Sequence, residues 1–286
     1  MKLLEYLKEI FEHILVFDYE FSQPEGDNPK LVCLAVKDLV SGKEVSEWLV
    51  GQDKPFPFPL EKSLLVAHHV VAEASCIIKH CGRELPLFWF DTMLEEQKFY
   101  NGLRVSGYGL LDSCHRYEIK TGSQENKKYY RDLIINNYPN YSDDEKQQIL
   151  EYNKSDIEIN ELLFYKQLDK AERDGRDFKE YIGQAIFHAK AKAVCAKIEN
   201  NGIPINMQLY NDLNEYYPAV VNLEREEINK LCGVELYVNG VFTQKNFEEF
   251  LKKEGLFSTW PRTEKGKCKT DDKTLYRYQD TNAKIM

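Results

Sequence analysis

The stretch Ile14-Leu-Val-Phe-Asp-Tyr-Glu-Phe21 decides the reading of this chain. It is apolar and rich in β-formers, so it predicts a strand, yet two carboxylates interrupt it. In a strand successive side chains point to opposite faces, so Asp18 and Glu20 share one face with Val16, opposite Phe17, Tyr19 and Phe21. Two like charges side by side on a buried strand are costly unless a cation neutralises them. The other reading is a strand whose polar face is simply wet, and the pair alone leaves both open.

Working outward, Leu3, Leu7, Ile10 and Ile14 have helical spacing and predict a short amphipathic helix ahead of the strand. Two more strand-like runs, 31–36 and 45–50, flank the turn signal Ser41-Gly-Lys. Residues 63–67 read as a strand, 71–81 as a helix closed by Gly82, and 87–90 as a further strand. From about 92 helices dominate, the clearest over 142–168, 180–200 and 206–231. Strands first, then helices alternating on a mixed sheet, predict an α/β domain over residues 1–170. Residues 171–286 read as a second, smaller and mostly helical region.

The chain has 286 residues, 38 Lys+Arg and 47 Asp+Glu, a formal net charge of −9. A nucleic-acid partner usually calls for a basic face, so the sum discourages one. Its distribution is uneven, however: all the excess acid lies in residues 1–170, where the Asp-x-Glu strand also lies. Residues 252–277 are locally basic, with Lys265, Lys267 and Lys269 among eight basic side chains against four acidic ones. With Trp260 and Tyr276 interleaved, they suit a backbone-contacting tip; a solvated lysine loop is the plainer reading. No apolar run approaches the roughly 20 residues of a membrane span, so no membrane partner is expected. Seven cysteines without a Cys-x-x-Cys pair, and a charged N-terminus, point to a reducing, cytoplasmic setting.

Further acids stand at suggestive places. Glu73 occupies the first turn of a predicted helix after the strand 63–67, where a carboxylate also suits the helix dipole. Asp91, at the end of Phe88-Trp-Phe, reads as a helix N-cap. Tyr152 and Asp156 lie four apart on one helical face, so a phenol one turn from a carboxylate can hold a water beside a bound metal. The alternative is a tyrosine at a core margin and an exposed aspartate.

Taken in order, Asp18-x-Glu20, His69-x-x-x-Glu73 and Tyr152-x-x-x-Asp156 resemble the three motifs of the 3′→5′ proofreading exonuclease domain of family A DNA polymerases. In that family they read Asp-x-Glu, Asn-x-x-x-Asp and Tyr-x-x-x-Asp on an RNase H-like sheet, and Phe90-Asp-Thr-Met-Leu-Glu95 is similar to the segment that follows the second. The histidine subtype places a His where Glu151 stands here, so the tyrosine subtype fits better. The resemblance implies that Asp18, Glu20, Glu73 and Asp156 bind two divalent ions, Mg²⁺ or Mn²⁺, with Glu73 acting on the second through water. It implies that Tyr152, with Glu20, orients the attacking water. Two ions about 3.5–4 Å apart suit in-line phosphodiester hydrolysis, and hard carboxylates suit those ions. His69 and Glu73 replace the family's Asn and Asp; His69 then either donates to the substrate backbone or packs as a neutral ring.

Ala193–Asn206 looks like the opening of the family's polymerase domain, and 242–251 with 263–271 resembles its thumb. No palm or fingers motif follows, so the expectation is a fragment or one piece of a split polymerase, without DNA synthesis of its own. The implied substrate is the 3′ end of single-stranded DNA, with a separate polymerase subunit or domain as partner. An RNA-processing relative and a catalytically silent DNA-binding module are the competing expectations.

Overall fold

A computed structural model describes residues 2–278 apart from 25, 83 and 84. Helix α1 (Lys2–Ile10) leads into β1 (His13–Ser22), β2 (Lys30–Asp38), β3 (Glu44–Trp48) and β4 (Ser63–Ala67). Then follow α2 (Val70–Cys81), β5 (Phe88–Asp91), α3 (Thr92–Phe99), α4 (Leu110–Arg116) and α5 (Gln124–Asn137). The long helices α6 (Asp143–Arg173), α7 (Phe178–Asn201) and α8 (Met207–Cys232) come next. The chain continues through β6 (Tyr237–Val238), β7 (Val241–Phe242), α9 (Gln244–Lys253) and α10 (Asp272–Tyr278).

Five strands form one mixed sheet in the order β3-β2-β1-β4-β5. Strand β1 pairs antiparallel with β2 and parallel with β4; β2 pairs antiparallel with β3, and β4 parallel with β5. Only β2 therefore runs against the other four, and β1, the Asp-x-Glu strand, lies at the centre. This is the mixed, helix-flanked α/β architecture anticipated above. Alternation along β1 divides the core between the two faces of the sheet. Ile14 and Val16 join an apolar cluster with Leu3 and Leu7 of α1 and Ile157, Phe164 and Leu168 of α6. Leu15, Phe17 and Tyr19 join the other, with Val70, Ala74 and Ile77 of α2. Beyond Val16 the α6-facing side turns polar, so Asp18 and Glu20 emerge where the apolar packing ends. The pairing of β1 with β2 also slips between Glu20 and Phe21, a bulge-like irregularity next to the acids.

The first compact unit ends at Gly202, not near 170. Helix α7, assigned to the second region on sequence grounds, belongs to the first unit. Its Tyr181, Ile182 and Ala185 enter one apolar cluster, and Ala189, Ala193 and Ala196 the other. The alanine row lets the helix lie close against α2 and β5. It is capped at both ends, by Asp177, whose side chain accepts from the Glu180 N–H, and by Gly202.

The second unit begins at Ile203. Its core is Cys232, Leu236, Phe247, Phe250, Leu251, Trp260 and Cys268. Trp260 is buried there and its indole N–H donates to the Lys269 carbonyl at 2.8 Å. Trp260 is thus a core residue of this unit, and of the two aromatics expected at a backbone-contacting tip only Tyr276 is exposed. On α8, Leu209, Leu213, Tyr216, Val220 and Leu223 recur at spacings of four and three, yet each is at least half exposed. No helix among the described residues is long and apolar enough to cross a membrane.

Candidate metal centre and active site

Strand β1 and helix α6 bring the acids together. One carboxylate oxygen from each of Asp18, Glu20 and Asp156 lies within 4.8 Å of the other two. Asp156 is on the buried face of α6, which continues through Ile149, Asn153, Ile157, Asn160, Leu163 and Phe164. A Ser142–Glu145 capping box fixes the start of that helix. The three acids border an open cleft of about 870 Å³ that is also lined by His69, Lys127, Lys128, Arg131 and Tyr152.

Their electrostatics is that of a site short of positive charge. Burial, then the neighbouring Asp156, pushes the Asp18 carboxyl up to about 7; Lys127 and the Asn153 hydrogen bond oppose the rise. Glu20 is raised well above the usual carboxylate range by burial and by Asp18 and Asp156. Asp156 is raised by burial, against the pull of Lys127 and of a hydrogen bond from Tyr152. Three hard oxygen donors this close, each unfavourable as an anion where it stands, form a donor set that fits a divalent cation.

Glu73 lies outside the trio of converging ligands. It is buried at the start of α2, and its Oε2 accepts the Tyr19 backbone N–H at 2.9 Å. Burial first, then the charge of Asp18, raises its pKa well above the ordinary value. One oxygen is therefore engaged by the central strand, while the group sits close enough to Asp18 to feel its charge.

Tyr152 directs its hydroxyl to Asp156, and its ring stacks on Tyr130 of α5 at 4.6 Å between centroids. Burial, followed by Asp156, pushes its phenol pKa well up, so it acts as a donor. His69 is exposed on the cleft and does not pack as a core ring. Its backbone is left-handed, at φ 75°. The corner is held by Asp91, whose carboxylate accepts the N–H groups of His69 and Val70 as well as those of Met93 and Leu94, at 3.0–3.2 Å. Asp91 is thus the N-cap of α3 that the sequence implied and, in addition, the anchor of the turn into α2.

Two contributors escaped the sequence reading. Asn153 is fully buried and donates from Nδ2 to Asp18 Oδ2 at 2.8 Å, fixing that carboxylate. The signal lay in its spacing: Asn153, Asn160 and Gln167 are polar residues seven apart on the helix face that the apolar period buries. Lys127, from α5, places its ammonium 3.8 Å from Asp156 Oδ2. Lys265, Lys267 and Lys269 belong to the second unit, Lys265 and Lys267 in the loop closed by the Arg262–Cys268 bridge and Lys269 just after it. Lys265 and Lys267 are exposed and Lys269 is half-buried.

No protein-family model matches the chain, and no curated protein matches it. Among solved structures, Escherichia coli RNase D, described as an exoribonuclease involved in structured RNA processing, is similar with a TM-score of 0.44 and 12% identity. The match covers 68% of this chain and 48% of that one, so the chain spans about half the length of that structure.

Proposed function

We propose that this chain is a metal-dependent 3′→5′ exonuclease that removes nucleotides from single-stranded DNA ends and releases nucleoside 5′-monophosphates. The observation that carries the reading is the convergence of Asp18, Glu20 and Asp156 within 4.8 Å on an open cleft. The motif order and the resemblance to family A polymerases supply the polarity and the DNA substrate, with a polymerase subunit or domain as partner.

Asp18, Glu20 and Asp156 would hold one Mg²⁺ or Mn²⁺, and Asp18 with Glu73 would serve a second through water. Bound there, the ions supply Lewis acidity and a water acidic enough to ionise near neutral pH. The remaining work falls to the chain's own groups. Asn153 keeps Asp18 aimed at the cleft through its 2.8 Å hydrogen bond. Tyr152, held by its stack on Tyr130, offers a hydroxyl beside Asp156, where it can orient a water for attack. Glu20, in the same trio of acids, would orient that water together with Tyr152. His69 faces the cleft one turn before Glu73 and can donate to the substrate backbone.

The test is digestion of 5′-labelled DNA and RNA oligonucleotides with Mg²⁺ or Mn²⁺, with chelator, and with Asp18→Asn. A ladder shortening from the 3′ end on DNA, lost with chelator and with Asp18→Asn, is the expected result. Cleavage that survives Asp18→Asn sinks the reading. Cleavage of RNA alone moves the substrate to RNA, and strand binding without cleavage makes the chain a silent binding module.

A further inference from the structure

The acid cluster carries its own counter-cation. Lys127 Nζ stands 3.8 Å from Asp156 Oδ2, and among the described residues no other Lys or Arg pairs with the three acids. The pairing is loose. Charge-assisted N–H···O bonds run at about 2.7–2.9 Å. The Lys127 side chain is 40% exposed, on a flexible stem that leaves its position at little cost. Asn153 is the opposite case: neutral, fully buried and 2.8 Å from Asp18. One neighbour is fixed and uncharged, the other charged and free to move.

Helix α5 presents more than one cation to this cleft. Lys127 and Arg131 are four apart and so share a helix face, and Lys128 joins them on the cleft wall. An acidic floor alone repels a phosphodiester. A basic wall opposite gives the strand a place to lie once the floor is neutralised.

Building on the exonuclease reading, we propose that Lys127 is the resident counter-cation of the site. It neutralises Asp156 while no divalent ion is bound and gives way when one enters. It then meets the substrate phosphate alongside Lys128 and Arg131. Lysine and metal thus compete for the same oxygens, and the lysine released by the metal becomes a ligand for the strand that the metal is to act on.

The deciding measurement is Mn²⁺ binding to the full chain without nucleic acid, followed by the electron paramagnetic resonance signal of free Mn²⁺. Removing a unit charge about 4 Å from the ligands, in a partly solvated cleft, predicts about tenfold tighter Mn²⁺ binding for Lys127→Met. Lys128→Met is expected to bind Mn²⁺ as the wild type does. Unchanged or weaker binding by Lys127→Met overturns the proposal. Should that variant fail to fold, Lys127→Arg decides instead: it keeps the charge, so its affinity should equal or fall below that of the wild type, and a clear tightening overturns the proposal. In the second arm, at saturating Mn²⁺, Lys127→Met is expected to cut at least about tenfold more slowly, because the phosphate loses a partner. A wild-type cleavage rate there removes the phosphate role. If the wild type cuts neither DNA nor RNA, the exonuclease reading fails, while the Mn²⁺ titration still decides whether Lys127 is the counter-cation.

Discussion

Replacing Asp18 by Asn is expected to destroy activity and, without metal, to make the protein more stable. Burial and Asp156 lift the Asp18 carboxyl from its ordinary 3.8 to about 7. That is a factor of roughly a thousand in proton affinity, on the order of 4 kcal/mol held against the ionised form. The carboxylate borders the open cleft, so solvent screens part of this, leaving about 1–3 kcal/mol. The folded-state pKa is the higher one, so between about pH 4 and pH 7 the folded state holds more protons than the unfolded state. Its stability therefore falls as pH rises through that window. Asparagine does not titrate and can still accept the Asn153 N–H, so it escapes the penalty without losing the contact. In chelator at pH 8, scanning calorimetry should show Asp18→Asn melting about 2–12 °C above the wild type, at about 2–4 °C per kcal/mol. At pH 5 the gap should shrink by more than half. Saturating Mn²⁺ should raise the wild type far more than the variant. A variant that melts lower than the wild type at pH 8 in chelator, or a gap independent of pH, refutes the reasoning.

Tyr152→Phe keeps the ring stacked on Tyr130 and loses only the hydroxyl aimed at Asp156, so cleavage should slow by about 10–100-fold with little change in melting temperature. Asp91→Ala strips the acceptor from four backbone N–H groups and should cost about 2–4 kcal/mol in urea unfolding, with Asp91→Asn recovering part of it. Arg116→Met leaves the buried Glu96 carboxylate without the partner that binds it at 3.0 and 2.8 Å, and the denaturation midpoint should fall by the equivalent of about 3–5 kcal/mol. Thermal stabilisation by Mn²⁺ should grow as pH rises through about 7, because Asp18 must shed its proton to coordinate; a shift equal at pH 6 and pH 8 contradicts that.

What the sequence made legible was set by how local each signal is. The central strand was readable because Ile14–Phe17 is an unbroken apolar run of β-formers, and Asp18 and Glu20 stand out against it. Tyr152 and Asp156 were readable because one helical turn joins them. Asn153 was less visible, because a single polar residue on a buried helix face resembles noise until Asn160 and Gln167 are set in line with it. Lys127 sits in a polar helix with no pattern of its own, and only the tertiary path of α5 brings it to Asp156. The boundary of the first unit was misplaced because α7 packs through alanines, whose small side chains give a weak apolar period. The hairpin β6–β7 was missed although Asn239-Gly240, both at positive φ, is a strong turn dipeptide between strands of only two residues each.

The corner at His69 bears on how such a motif is free to vary. Its φ of 75° lies in a region closed to most side chains and comparatively open to asparagine, aspartate and histidine. The position where the resemblance looks for asparagine is therefore one where the main chain restricts the alphabet before any substrate does. Histidine is within that alphabet; valine or isoleucine is not. Exchanging asparagine for histidine changes the group shown to the cleft while leaving the course of the chain into α2, and with it the seat of Glu73, as it was. The acid's address is written in backbone angles, and the side chain at the corner is free to serve a different clientele.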